Sequence, residues 1–273
     1  MEEKKKGSAS EVDQKNPAEQ PVVDFFSDLD FSKLEVNIED MFKGGVHFGH
    51  HKSRRNPKMN QYIFATKNNI NIIDLEKTKN SLEEAMRFIS QVVGEGREIL
   101  FVGTKKQAKR IIRAAADECG MPSVTERWIG GTFTNFPVIS DRAKYLREGL
   151  EKQERGEFGK YTKFEQMKKS EELERLEKKM GGIKNMTNLP GAVFVVSTME
   201  DSLAISEAVA KKIPVVALVD TNVDPTGIDY PIPANEDAVS SLKLLMAYVI
   251  KAVLEGKEKA KNAPKEDEKL EKK

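Results

Sequence analysis

The sequence predicts an α/β sandwich on a parallel sheet, interrupted by a pair of helices, and three observations lead there. First, Glu98–Val102 (EILFV), Ala192–Val196 (AVFVV) and Pro214–Val219 (PVVALV) are short apolar runs without polar alternation. A strand covered on both faces reads this way, and parallel strands are covered on both faces. Second, helical stretches follow such runs: Lys105–Ala116 after the first, and Asp201–Lys212 between the other two. Strand–helix–strand alternation is the pattern of crossover-connected parallel strands. Third, Ile139–Met180 breaks the alternation. It has no strand pattern, and 22 of residues 141–180 are charged, so it cannot supply another buried strand.

Taken in order, residues 1–20 are polar and contain no aromatic side chain, a composition that does not fold alone. Val22–Phe31 (VVDFFSDLDF) mixes acids with large apolar groups and reads either as a sticky leader or as a short docking segment, on this sandwich or on a neighbouring protein. Asn37 is placed to cap a short helix, IEDMFK, which Gly44–Gly45 ends. Tyr62–Ala65 and Ile70–Leu75 flank Lys67-Asn68-Asn69 as a hairpin. Leu82, Ala85, Met86, Ile89 and Val93 share one face of a helix over Ser81–Val93. Ser123–Glu126 could be a further strand, and Asn235–Leu254 a closing helix.

In the interruption, Ile139, Ala143, Leu146 and Leu150 recur at helical spacing. After Gly156 and Gly159, Phe164, Met167, Leu173, Leu176 and Met180 do the same. Two narrow seams can cover each other, so the expectation is an antiparallel, coiled-coil-like helical hairpin projecting from a sandwich that folds without it. The expected organisation is therefore an acidic, largely disordered extension over 1–35, a discontinuous α/β domain over 36–138 and 181–256, the inserted hairpin over 139–180, and a charged, disordered tail over 257–273.

Composition narrows function. Cys119 is the only cysteine, so no intrachain disulfide forms, which fits a reducing compartment. No run approaches the length of a membrane span, and the N-terminus lacks the apolar stretch of a signal peptide; a soluble cytoplasmic protein with no membrane partner is expected. A net charge of +1 conceals segregation. Residues 1–40 carry five basic and eleven acidic side chains, whereas residues 41–140 carry sixteen basic and nine acidic. A basic zone of that size attracts a polyanion whatever the chain total.

The densest part of that zone is Lys43–Lys67. It holds Lys43, Lys52, Arg54, Arg55, Lys58 and Lys67, the three histidines His47, His50 and His51, and no acid. Phe48, Tyr62 and Phe64 are interleaved, as suits phosphate contacts beside unpaired bases. A second cluster, Lys105, Lys106, Lys109, Arg110 and Arg113, stands where a strand gives way to a helix. That edge favours anions, yet neither GxGxxG nor GxxxxGK[ST] is present, and a polymer backbone explains the basic density better than a mononucleotide. A third stretch, Arg127 to Phe136 (RWIGGTFTNF), reads equally as a turn packing its aromatics and as a surface where Arg127, Trp128, Thr132 and Asn135 touch RNA. No metal site is expected: His50 and His51 are adjacent and diverge, and no CxxC accompanies them. No GxSxG is present, and Asp220, Asp224 and Asp229 lack a base or nucleophile partner in the sequence, so their expected role is to cap turns beside Pro225 and Gly227. Catalysis, a cofactor and a small-molecule substrate are not expected.

At these same stretches the chain resembles small-subunit ribosomal protein family two. The resemblance is carried by GVHFGH (Gly45–His50), NPKM (Asn56–Met59), YIF (Tyr62–Phe64), IIDLEKT (Ile72–Thr78), FVGTKKQA (Phe101–Ala108), RWIGGTFTNF, GGIKNM (Gly181–Met186), LPGAVFVV (Leu189–Val196), IPVVALVDTNVDP (Ile213–Pro225) and IDYPIPANEDA (Ile228–Ala238), in order and in register. It implies a Rossmann- or flavodoxin-like parallel-sheet sandwich with a protruding helical hairpin of the bacterial and organellar branch. It also implies a structural, rRNA-binding constituent of the small ribosomal subunit that acts in translation, lies between head and body among neighbouring ribosomal proteins, and helps tether ribosomal protein one near the mRNA exit. The chain departs from the family at Arg55, where relatives carry tryptophan, at Ser197, where aspartate is common, and in its first 35 or so residues, which have no usual counterpart.

Overall fold

Two sheets organise the chain, and the computed structural model describes them within residues 25–26 and 29–262. In chain order the elements are α1 (Ile38–Lys43), β1 (Phe48–His51), β2 (Ile63–Lys67), β3 (Ile70–Ile73), α2 (Leu75–Gly94), β4 (Ile99–Val102), α3 (Lys109–Cys119), β5 (Ser123–Val124), α4 (Phe136–Glu154), α5 (Lys163–Met180), β6 (Ala192–Val195), α6 (Ser202–Ala210), β7 (Val215–Val219), β8 (Tyr230–Pro233) and α7 (Val239–Asn262). The larger sheet is wholly parallel, in the order β5-β4-β6-β7-β8. Counted along the chain that is 2-1-3-4-5, consistent with a Rossmann-like, doubly wound fold whose order reverses between β4 and β6. The smaller sheet is antiparallel, β1-β3-β2.

The apolar runs explain the layers. Successive side chains of a strand point to opposite faces. Ile99 and Phe101 of β4, Ala192 and Phe194 of β6, and Val216 and Leu218 of β7 enter one core with α2, α3 and α7. Their neighbours Leu100, Val102, Val193, Val195, Val215 and Ala217 enter a second core on the other face. Helix α6 contributes Ala204 and Ala208 to that second core, and the rest of its cover comes from Trp128, Phe133, Ile139, Ala143 and Leu146, with Leu173 and Met180 of α5. This corrects one expectation. The apolar positions of α4 and α5 do not only face each other: they are continuous with the sandwich core, because a single short helix cannot cover that face. Leu173 comes so close to Gly149 that a Cβ there would lie 2.5 Å from a Leu173 methyl.

Other boundaries shift for local reasons. Asp74 caps α2 by accepting from the backbone of Glu76 and Lys77, so the helix starts before Ser81. Helix α7 runs to Asn262, so residues 257–262 of the expected tail are helical, and the rest of that expectation lies outside the described residues. The extension expected to be disordered over 1–35 is ordered in part. Phe26 is buried in the first core, Lys251 Nζ donates to the Leu34 carbonyl at 2.7 Å, and Tyr248 Oη donates to the Glu35 carbonyl at 3.1 Å. The expectations for residues 1–20 and 22–24 lie outside the described residues.

The second core sets a test of stability. Leu146→Ala, at a fully buried position, is expected to lower unfolding free energy by about 2–5 kcal/mol. Replacing all of 139–180 by a Gly/Ser linker should abolish cooperative thermal unfolding, while replacing only 151–168 should retain it. Cooperative unfolding after the full excision would show that the second face needs no cover from these helices.

Candidate nucleic-acid interface

The basic segment folds around the small sheet. Asn68 and Asn69 adopt positive φ of 50° and 62° between β2 and β3, as a two-residue hairpin turn requires. Strand β1 pairs with the other edge of β3. This sheet is fastened to the ends of β7 and β8. The His50 amide donates to Thr221 Oγ1 and the Asn56 amide to the Thr221 carbonyl, both at 2.9 Å. Asn235 donates through its amide to the Val46 carbonyl at 3.0 Å and through Nδ2 to the Gly45 carbonyl at 3.1 Å. Thr78 Oγ1 reaches the Pro233 carbonyl at 2.6 Å. Gly49 makes this docking possible, since a Cβ on it would lie 2.5 Å from Thr221 Cγ2.

On this rigid base the predicted residues divide. Lys43, Lys52, Arg54 and Lys67 are exposed and make no ion pair among the described residues. Lys58 is exposed but donates to Asp224 and Thr226, both at 2.8 Å, and its hydrogen bond holds the Asp224 carboxyl down to about 2. Arg55 Nε donates to Asn60 Oδ1. Phe42, Phe48 and Phe64 stand exposed beside Lys67, lining a groove of about 620 Å³ with Ile72 and Leu75, while Tyr62 packs partly buried on Met59 and Val223.

The three histidines have three different environments. His47 is buried, with its ring 4.4 Å from that of Phe42 and nearly parallel to it. Burial lowers its pKa, and its ring packs between Phe42 and Phe48 at the wall of the aromatic groove. His51 is exposed and accepts from the Ser53 amide. His50 turns inward between Asp220, 3.0 Å from Nδ1, and Asp237, 3.4 Å from Nε2. The Asp220 carboxylate chiefly raises its pKa, against the lowering by burial.

The second cluster also divides. Lys106, Arg110 and Arg113 are exposed, the Arg110 guanidinium lying 5.7 Å from the centre of the Phe25 ring. Lys109 pairs with Glu126 at 2.9 Å. The Lys105 ammonium is turned inward, 2.6 Å from Asp237 and 3.0 Å from Glu236. Burial works to lower its pKa, but those two carboxylates outweigh it and the net shift is upward. This pairing occupies the crevice at the β4/β6 switch point, where doubly wound sheets hold small ligands. Beside it Thr104 donates through N and Oγ1 to Asp201, and Ser197 Oγ donates to Glu236 at 3.2 Å.

In the third stretch the packed-turn alternative is the one observed. Of the four residues singled out there, Trp128 and Thr132 are buried, and Arg127 and Asn135 are exposed. Trp128 meets Phe133 edge-on at 4.9 Å. The turn is organised by a residue that sequence reasoning misses, Glu207 of α6. Its carboxylate accepts from Trp128 Nε1, the amides of Gly131, Phe133 and Thr134, and Thr134 Oγ1, at 2.8–3.1 Å. Burial pushes its pKa up, but the hydrogen bonds outweigh burial and hold it below the ordinary value. No single-sequence signal marks a lone glutamate in SLAISEAVA as this acceptor.

Compared with known protein families, the chain matches the family model described as ribosomal protein S2 over residues 41–256. The match takes in both sheets, both helices of the interruption and most of α7.

Glu207 yields a pH-dependent prediction. A carboxylate whose pKa is depressed on folding stabilises the native state above its unfolded pKa, and that contribution is lost as pH falls through the folded pKa. Glu207→Ala should cost roughly 3 kcal/mol at neutral pH, because several buried donors lose their acceptor. The difference between mutant and parent should shrink in acid denaturation curves below the glutamate range. A penalty that is constant down to the acid limit would show that the charge contributes nothing.

Proposed function

We propose, on the premise that this chain belongs to the ribosomal protein S2 family, that it joins the small ribosomal subunit by laying the β1-β3-β2 sheet and its basic segment against rRNA. Family membership makes it a structural constituent of the small subunit, acting in translation, in a family that is structural and not enzymatic. The observation that carries the rRNA reading is the set of exposed cations without an ion pair among the described residues, Lys43 at the end of α1, Lys52 and Arg54 just after β1, and Lys67 at the end of β2, on and beside a small sheet pinned to the sandwich. Cations fixed in this way neutralise phosphates without first being ordered. Phe48 and Phe64, half or more exposed, give unpaired bases a stacking surface. Lys106, Arg110, Arg113, Arg127 and Asn135 are further exposed candidates for backbone contact, and Arg55, Lys58, Lys109 and His51 are lesser ones.

The finer assignments follow the same premise. Helices α4 and α5 project as a hairpin beyond the root that enters the core, and Tyr145, Phe164 and Met167, each at least half exposed, offer it to neighbouring ribosomal proteins. Tethering of ribosomal protein one is carried by the family relationship. The protein resides in the cytoplasm on the ribosome; among the described residues no helix is long and apolar enough to cross a membrane. A reading as a catalyst is disfavoured because Lys105, Glu236 and Asp237 fill the crevice a substrate would need.

Sucrose-gradient fractionation tests the assignment. The parent chain should co-sediment with the small subunit, whereas Lys52, Arg54 and Lys67 reversed together to Glu should leave the fraction and keep a native unfolding transition. In filter binding to small-subunit rRNA, each phosphate-binding cation replaced by Ala should flatten the salt slope by about one. Normal incorporation of the triple reversal, or an unchanged slope, would refute the interface.

A further inference from the structure

We propose that Phe25 and Phe26 seat the N-terminal extension on α3 and α7 as a built-in competitor of nucleic acid, which withholds Arg110 and Lys243 from phosphate while it is seated. The inference rests on the reading of this chain as an RNA-binding protein and adds a device that governs it.

Phe26 is the anchor. It is 2% exposed, in the core formed with α2, α3 and α7, and its carbonyl accepts from the Leu29 amide at 3.0 Å. Phe25 does not follow it inside. Its ring is tilted 59° from that of Phe26 and bridges two helices, with the Arg110 guanidinium of α3 5.7 Å from its centre and the Lys243 ammonium of α7 4.4 Å away. The face of an aromatic ring carries partial negative charge, so it draws cations as a phosphate does, only more weakly. Among the described residues neither cation has a carboxylate partner, although Lys109 and Lys251 on the same two helices do. Further along, Lys251 Nζ donates to the Leu34 carbonyl and Tyr248 Oη to the Glu35 carbonyl. Lys243 and Lys251 are two steps of four residues apart and share one side of α7, so the extension meets that side at both ends.

Charge makes this seat a competitor and not only a clasp. Holding α3 to α7 needs the buried Phe26 and no acid. Yet residues 24–40 carry six acidic side chains and one basic, and Asp30, Glu35, Glu39 and Asp40 among them are exposed. A phosphate backbone approaching from this side meets that negative field as well as the ring. The contact is built to give way. Arg110 stays exposed on its far side, and Arg113, three residues on and on the same face of α3, is exposed and uncovered by the ring. Arg113 offers RNA a first contact, from which it displaces Phe25.

Full-length parent, Phe25→Ala and Phe25→Tyr are titrated with a short oligouridylate by fluorescence anisotropy across a salt series, with thermal unfolding in parallel. Phe25→Ala should bind about tenfold more tightly at roughly 0.1 M KCl, and its salt slope should steepen by about 1.4, the share of two further phosphates on a single strand. Phe25→Tyr keeps the ring face and should bind as the parent does. Lys243→Ala should leave the parent's affinity unchanged, and should remove about half of the slope gained in Phe25→Ala. Unchanged binding in Phe25→Ala, an equal gain in Phe25→Tyr, or a gain that Lys243→Ala does not reduce would each overturn the competitor. Should Phe25→Ala lose its native transition, weaker binding by Lys243→Ala in the otherwise unchanged chain overturns it alone, because that cation would then reach phosphate with the ring seated. Binding by none of these proteins would sink the RNA-binding reading, and this one with it.

Discussion

Keeping both faces of a parallel sheet dry is the constraint on which this structure depends. Crossover connections place helices on each face, but here the supply is unequal. Helices α2, α3 and α7 cover the first face, with Phe26 added at its margin. On the second face, α6 is only nine residues long. The deficit is met by the Trp128 turn and by the inner ends of α4 and α5. The part of the chain that looks most like an appendage is therefore rooted in the core, and the Glu207 carboxylate that gathers five donors sits where α6 and that turn must be joined.

The same constraint explains which parts of the fold are legible in the sequence. Strands β4, β6 and β7 are apolar throughout because both their faces are covered, and no other element imitates that. Strand β8 escapes such a reading because Tyr230-Pro231-Ile232-Pro233 carries two prolines; it is tolerated as an edge, where a missing donor costs little. Strand β1, FGHH, has neither apolar alternation nor β-branched residues, and its pairing depends on partners at Ile70 and Ile72. The start of α2 is hard to place because the polar turn before Ser81 carries no apolar period, although Asp74 caps it.

The candidate interface is legible in its location and less so in its membership. Cations that end in solvent and cations that end in an internal pair look alike in a sequence. Lys105 and Lys106 are neighbours, yet the first meets Glu236 and Asp237 from more than 130 residues away and the second stays exposed. His47 and His50 belong to one short motif, yet one ring stacks on Phe42 and the other meets two carboxylates. For Lys105 and His50 the deciding partners are distant in sequence, and only the strand order brings them near.

Gly49 has a consequence in time. The bond from His50 to Thr221 that its missing side chain permits spans 171 residues, and Asn235 must also be present to hold Val46 and Gly45. A chain made from its N-terminus therefore displays its basic segment before the dock for that segment exists. At roughly 5–20 residues per second the interval is on the order of ten to thirty seconds. During synthesis the positive charge is available early as a loose strand, and its fixed geometry arrives almost last. Recognition that depends on charge can precede recognition that depends on shape, and the order is written into the spacing of two small residues, Gly49 and Thr221.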